Sequence, residues 1–262
     1  MFQWPASQVF FIVMKDYMVQ QESSNAPISL VSSYATDRWI DSAGLIVTEQ
    51  QGGPAYFIER ALVAEGIGVD VHAGEPFLVD IIQKQGDETG KAAFMPPTKR
   101  IETATLHDWT IVSTIGREWT FAPQLPLPAH LCVDIQGFVR GDEPGQKRPW
   151  SDIAGIVPHV FCLKGTSDEI AQLSPDVLRA QKHERLLVVT HAEQGAEVFV
   201  RGTHFELPGE HISNLKTTVG AGDTFFAYFV AALYEAQDVP RALEHAVKLT
   251  SSFLGRPTNV LA

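Results

Sequence analysis

The sequence predicts an α/β fold: a mostly parallel sheet covered on both faces by helices. Three observations carry that expectation. From residue 28 onward, strand and helix signals alternate along the chain. The strand candidates are short apolar runs, as strands buried on both faces require. Two apolar helical stretches, about Ala221–Ala236 and Pro240–Phe253, close the chain. A small β flap is expected from about 39–47 and 77–95, where the pattern is two-sided and only modestly apolar.

The elements follow in order. Ile28 to Ser33 is a short apolar strand candidate. Trp39 to Val47 is interrupted by Ser42-Ala43-Gly44 and reads as a bent strand or hairpin. Gly52-Gly53-Pro54 precedes a helix from Ala55 to Glu65 that stops at Gly66. Val69 to Val71 is the next strand. Phe77 to Lys84 turns through Gln85–Gly90 into Lys91–Met95, a hairpin. Trp109–Val112, Leu131–Val133 and His159–Leu163 are buried-strand candidates. Ser174-Pro175-Asp176 opens a helix with a serine cap, proline at the first position and an acid for the dipole. Leu186–Val189 is a strand, and 196–200 with 203–207 form a hairpin across Arg201-Gly202.

Composition bounds the function. The chain has 262 residues, between one and two domains at about 150 residues each. Residues 1–27 read as an N-terminal extension ending in a polar linker, and 28–262 as one domain. The apolar stretch Val9–Met14 lacks a basic flank and a cleavage pattern, so a signal peptide is not expected. No apolar run is long enough to span a bilayer, so no membrane partner is expected. A net charge of −11 argues against a nucleic-acid partner, whose affinity comes largely from phosphate neutralisation. It does not exclude a small anion held at a helix N-terminus. Cys132 and Cys162 sit singly in apolar runs and read as buried strand residues in a reducing, cytoplasmic setting.

One motif carries chemistry. Thr217-Thr-Val-Gly220-Ala221-Gly222-Asp223 runs straight into the apolar helix. First-turn amides have no intrahelical partner, and small residues let a phosphate approach them. Gly220, Ala221 and Gly222 are therefore expected to form an anion hole. Asp223 then serves either as general base for a neighbouring hydroxyl or as an acid that stabilises the helix dipole.

This run resembles the C-terminal signature of the PfkB (ribokinase-like) carbohydrate kinases. Other stretches are similar to that family's landmarks in the same order. They are Gly52-Gly53 before a helix, Asp37 after the first strand, and Asp134-Ile-Gln136-Gly137-Phe-Val-Arg140. Lys164-Gly-Thr166-Ser-Asp-Glu169 and Thr190-His-Ala-Glu-Gln-Gly195 complete the set. The resemblance implies a three-layer ribokinase-like sandwich with a small β lid. It implies Asp223 as catalytic base and Gly220, Ala221 and Gly222 as the anion hole. Lys164, Thr190 and Gly195 would serve the nucleotide, and Glu169 would hold Mg²⁺ through water. Asp37, Gly52, Gly53, Gln136 and Arg140 would contact the substrate. Glu169 also fits a capping box with Thr166, which needs no metal.

The chain departs from the family pattern at Thr217, Thr166, Ala192 and Phe57, where the family usually carries Asp, Asn, Gly and (in ribokinase) Asn. The stretch 67–108 is short by about one helix–strand unit. The implied activity is ATP- and Mg²⁺-dependent phosphotransfer to a hydroxyl of a sugar or polyol. The D-x-Q-G-x-x-R run tilts the acceptor toward inositol-like molecules. Nucleoside phosphorylation is an alternative, as is a sugar- or nucleotide-binding regulatory protein without phosphotransfer. A dinucleotide oxidoreductase is excluded because no G-x-G-x-x-G follows a first strand. The exposed strand edges of the flap are natural dimer surfaces, so a homodimer is one arrangement the sequence allows.

Overall fold

In the computed structural model, residues 26–41, 43–84, 87–121, 126–141, 146–147, 155–213 and 215–256 are described. Nearly all of the expected 1–27 extension lies outside them. The central sheet has eight strands. In chain order they are β1 (Ile28–Ser32), β4 (Val69–Ala73), β8 (Trp109–Val112), β10 (His130–Asp134), β11 (Cys162–Thr166), β12 (Leu186–Thr190), β13 (Ala196–Val200) and β14 (Thr203–Leu207). Across the sheet they lie as β14-β13-β12-β11-β10-β8-β1-β4. From β12 to β4 all pairings are parallel, and the β13–β14 hairpin is added antiparallel at one edge.

The strands sort their side chains by alternation. Leu30, Ile111, Cys132 and Val188 face one apolar layer, while Val31, Val112, Val133 and Leu187 face the other. The first layer is closed by helices α1 (Gly53–Ala64), α5 (Ala221–Ala236) and α6 (Val239–Leu254). The second is closed by short helix α2 (Gln136–Val139), by α4 (Pro175–Glu184) and by aromatic residues that include Phe121. Helix α5 buries Phe225, Phe226 and Phe229, each contributing about 1.5–3 kcal/mol, so its position is fixed by packing rather than by local propensity. This is the three-layer α/β sandwich the sequence predicts.

The second sheet is the lid. It has the order β3-β2-β5-β6, from β2 (Ala35–Ile40), β3 (Ile46–Gly52), β5 (Phe77–Lys84) and β6 (Asp87–Phe94). A parallel pair, β7 (Lys99–Ile101) with β9 (Trp119–Phe121), flanks β8 in sequence and forms a separate two-stranded sheet absent from the sequence expectation. Among the described residues no α-helix lies between Ala64 and Gln136, so the crossover from β4 to β8 is made by lid strands. That is the missing helix–strand unit.

Several boundaries differ from expectation. The first lid hairpin covers 35–52 rather than 39–47, which puts Asp37 inside β2 and not in a loop. The β5–β6 turn is shorter than read, because Gly90 pairs with Ile81 inside the ladder. The strand expected from His159 starts at Cys162: Val157–His159 is a 3-10 turn around Pro158, which has no N–H for a ladder. A four-residue helix, α3 (Ser167–Ile170), follows β11.

Candidate active site

The site lies along the carboxyl ends of the parallel strands, where open α/β sheets bind ligands. Ser113 follows β8, Asp134 ends β10, Thr166 ends β11 and Thr190 ends β12. Opposite them stands the start of α5. Gly220 caps that helix with φ of +79°, and Asp223 sits in its first turn. A Cβ on Gly220 would lie 2.5 Å from the Phe57 ring, so both backbone twist and contact demand glycine. Phe57, the residue that departs from ribokinase, therefore packs beneath the anion turn.

The turn supplies fewer free amides than expected. The Ala221 N–H donates to the Thr218 carbonyl at 3.0 Å, so it is already used within the turn. Among the described residues, the Gly220 and Gly222 N–H groups have no such partner. A two-amide cradle replaces the predicted three.

Asp223 is tied to the sheet. Ser113 Oγ donates to its Oδ1 at 3.3 Å. Lys164 Nζ pairs with Asp134 Oδ2 at 2.6 Å, both side chains buried. That ammonium also sits beside Gly222, at 3.2 Å from where a Cβ would stand. Burial pushes the Asp223 carboxyl up to about 7, with the Asp134 charge adding to it; Lys164, the Ser113 hydroxyl and Arg140 pull the other way and lose. Burial likewise raises Asp134 against the pull of Lys164. For Lys164, burial works to lower the pKa, but Asp134, Glu169 and Asp223 together outweigh it and raise it. The result is a half-buried carboxylate poised near neutrality beside a fixed, buried cation, an arrangement suited to proton acceptance.

The other predicted residues divide into three groups. Asp37, Gly52 and Gly53 stand together, since the Asp37 carboxylate packs on the Gly52 Cα and leaves no room for a side chain. Asp37 is 3% exposed, its Oδ2 has no hydrogen-bond partner among the described residues, and burial raises its pKa to about 6. Gln136 begins α2 with its N–H on Asp134 Oδ1 at 3.1 Å, and Arg140 is exposed at the far end of that helix. Thr190 and Gly195 flank the β12–β13 turn. There Ala192 adopts φ of +51° at the place of the family's glycine, and Gly195 has φ of +104°. Glu169 is buried and forms the full capping box with Thr166, while Lys147 lies 4.0 Å from its second oxygen.

Sequence reasoning missed several groups that the fold brings in. Ser113 and Asp134 bond to the predicted residues from separate strands. His191 bridges Ser167 Oγ at 2.7 Å and Glu197 at 3.3 Å beside Thr190. Glu88 reaches from lid strand β6 to the turn before α5, where its Oε2 accepts from Thr217 Oγ1, Thr218 N and Thr218 Oγ1 at 2.7–3.0 Å. Thr217, in place of the family's acid, thus receives a carboxylate from the lid. Among the described residues no three acidic, His or Cys side chains cluster as a metal cage, and no helix is long and apolar enough to cross a membrane.

Comparison with known proteins fits this geometry. Residues 143–257 match the model of the pfkB family carbohydrate kinases. An ATP-dependent ribose-1-phosphate kinase of Halopiger xanaduensis is 31% identical over 107 residues, which is 40% of this chain and only 36% of that protein. A pyrophosphate-dependent kinase of the ribokinase family, solved with a pyrophosphate analogue and myo-inositol, is 18% identical. It superposes over 88% of this chain and 96% of its own with a TM-score of 0.67. The ADP complex of ribokinase from Cryptococcus neoformans var. grubii serotype A superposes over 88% and 94% with a TM-score of 0.63 at 17% identity. The described chain takes the fold of these solved structures, and its residues 143–257 match the pfkB family carbohydrate kinase model.

Proposed function

We propose that the protein transfers the terminal phosphoryl group of ATP to a hydroxyl of a sugar or polyol, with Asp223 as general base. One observation carries this reading: a half-buried carboxyl held near pKa 7, in the first turn of a helix whose Gly220 and Gly222 amides have no backbone partner among the described residues. The acceptor oxygen attacks the γ-phosphorus as its proton passes to Asp223. The bond from that phosphorus to the bridging oxygen breaks, and its electron pair leaves with ADP. The two amides and Lys164 meet the charge on the transferred group. Asp37, with one oxygen buried and unpartnered, accepts a hydroxyl of the bound acceptor. Gly52, Gly53, Gln136 and Arg140 complete the acceptor side, and Thr190 and Gly195 line the donor side.

Mg²⁺ fits the residues present only as an ion carried by the donor phosphates. Such ions keep several waters and take one or two protein carboxylates. Glu169 is the carboxylate for that role, acting through water, since one of its oxygens is spent on the capping box. When bound, the ion supplies neutralisation of donor charge. The kinase unit is 28–262, with residues 35–52 and 77–94 as its lid. Exposed Leu45, Ile46 and Val47, at 66%, 50% and 68% on or beside the edge strand β3, form the surface on which two copies would pair.

The test is ADP formation from Mg-ATP against sugars, inositols and nucleosides. Inorganic pyrophosphate runs as a second donor, because a structurally similar kinase uses it. Asp223→Asn should lower kcat by about 10²–10⁴ and leave acceptor affinity within a few-fold. Near-normal kcat in that variant would remove Asp223 from the base role. Acceptor binding without turnover in the wild type, unchanged by Asp223→Asn, would favour the regulatory alternative.

A further inference from the structure

The ends of β11, β12 and β13 carry a side-chain cluster that phosphotransfer does not use. Thr166 ends β11, Thr190 ends β12 and Ala196 begins β13, and the three are register partners in one row. Ser167, His191 and Glu197 each follow a member of that row in the chain. Strand order thus lines up a hydroxyl, an imidazole and a carboxylate. Ser167 Oγ lies 2.7 Å from His191 Nδ1, and His191 Nε2 lies 3.3 Å from Glu197 Oε1. His204 Nε2 holds the other carboxylate oxygen at 2.8 Å, and its ring stacks on Phe199.

Charge sets the direction of these bonds. An ionised carboxylate only accepts, so His191 Nε2 carries the proton and the Nδ1 lone pair faces Ser167. The serine hydroxyl therefore donates to a base whose far side is anchored. The ring is turned over relative to serine proteases, where Nε2 faces the nucleophile, but the order nucleophile, base, carboxylate is the same. Three features mark the arrangement as built into the fold. Thr166 caps α3, so the Ser167 hydroxyl is not spent on that helix. The His191 N–H donates to the Gly195 carbonyl at 2.8 Å and its carbonyl accepts from the Gln194 N–H at 3.0 Å, which closes the turn beneath the ring. Within that turn Ala192 holds a left-handed φ of +51°, a strained conformation that the surrounding bonds maintain. Ser167 is exposed and Glu197 half-buried, so the nucleophile is open while its orienting group is sheltered.

We propose that Ser167 is an activated nucleophile that hydrolyses small uncharged carboxylic esters, with His191 as its base and Glu197 as a positioning residue. Ser167 Oγ attacks the ester carbonyl carbon as its proton passes to His191 Nδ1. The bond from that carbon to the alkoxy oxygen breaks, and the alcohol leaves with the proton. Water then attacks the acyl-serine and gives a proton to Nδ1. The carboxylic acid departs as Ser167 Oγ takes that proton back. Asp168 and Glu193, both exposed, neighbour the serine and the imidazole turn, which disfavours anionic esters. No phosphoryl donor enters these steps, so the inference stands apart from the phosphotransfer reading.

The full chain is treated with a fluorophosphonate, a reagent for activated serines, and assayed separately with p-nitrophenyl acetate. Peptide mass should place a single label on Ser167. Ser167→Ala should abolish the label and lower ester hydrolysis by at least about 100-fold, and His191→Ala should slow both comparably. Glu197→Gln should slow both by at least about ten-fold at unchanged Tm. It should also move the His191 nitrogen chemical shifts toward the other tautomer, which a merely structural carboxylate would not do. The anionic p-nitrophenyl hemisuccinate should turn over more slowly than the acetate. Label spread over other residues, or equal hydrolysis by wild type and Ser167→Ala, would overturn the inference. So would labelling of Ser167 at a rate indifferent to His191→Ala, which would reduce the cluster to surface hydrogen bonds. None of these readouts involves ADP formation, so failure here leaves phosphotransfer to its own assay.

Discussion

The body and the lid of this molecule are built on opposite terms. Body strand β1 is buried at every position, whereas lid strand β3 is exposed at all but its last residue, Gly52. The body holds the half-buried Asp223 beside the buried Lys164–Asp134 pair, and these charges perturb one another. The lid contributes polar groups, Asp37 and Glu88, that reach inward from a thin sheet. Under the proposed function, the chemistry common to any phosphoryl acceptor falls on the rigid half, and recognition of a particular acceptor on the half whose packing constrains its sequence least. Departures from the family pattern follow the same division: Thr217 is answered by a lid residue, while Asp223 is untouched.

The sharpest way to break the body's half is Gly220→Ala. The left-handed φ of +79° costs an alanine about 1–2 kcal/mol, and overlap with the Phe57 ring adds about 1–3 kcal/mol more. Relief of that strain would move the anion turn, so kcat should fall by at least about 100-fold, with a lower Tm. Phe57→Ala in the same chain should recover part of the stability but little of the activity, because it removes the overlap and not the twist. A Gly220→Ala enzyme with ordinary Tm and kcat would show that the turn is not set by these two constraints.

A subtler probe is pH. Asp223 must be ionised to accept a proton, so kcat/KM should rise with pH through an apparent pKa of about 7. Ser113 stabilises the ionised form, so Ser113→Ala should move that midpoint upward. A bond of 3.3 Å is long, so the shift should be at most about one unit. The same displacement has a stability consequence of defined sign. A carboxyl raised from 3.8 to about 7 on folding holds its proton more tightly in the folded state. Its contribution is therefore fully present below about 3.8 and is lost as pH rises through about 7. Asp223→Asn should lack that slope and gain in relative stability across this interval, read by Tm against pH. A slope common to both proteins would place its origin elsewhere.

What the sequence disclosed divides along the same line. Gly220 to Asp223 are contiguous, and their conformation is set by a helix start, so the site's centre is readable from seven consecutive residues. The Ser174 cap and the Arg201-Gly202 hairpin are legible for the same reason. Ser113 and Glu88 are not. They reach Asp223 and the turn before α5 through strand order and lid closure, which no local pattern records; Asp134 is visible at the head of its run, but its pairing with Lys164 is not. Gly90 reads as a turn residue because glycine is common in turns, yet it sits inside the β5–β6 ladder. The three-amide anion hole differs from the structure for a local reason, the Ala221–Thr218 hydrogen bond that closes the turn on itself.

The mildest test asks whether the lid's link to the body is more than contact. Glu88 Oε2 receives three donors from Thr217 and Thr218, and it is the lid's direct polar hold on the catalytic turn. Glu88→Gln keeps the shape of the side chain and removes its charge. Hydrogen bonds to a charged group are worth about 1.5–3 kcal/mol, and partial exposure of this one lowers its share. Acceptor KM should therefore rise by roughly ten-fold with a smaller change in kcat, because closure and not the proton transfer is weakened. Acceptor-independent ATP hydrolysis should rise relative to transfer, since an incompletely closed lid admits water to the phosphoryl group. Were kcat to fall while KM and the hydrolysis ratio held steady, Glu88 would belong with Ser113 among the groups that position the base, and the division between body and lid would run through the catalytic turn rather than beside it.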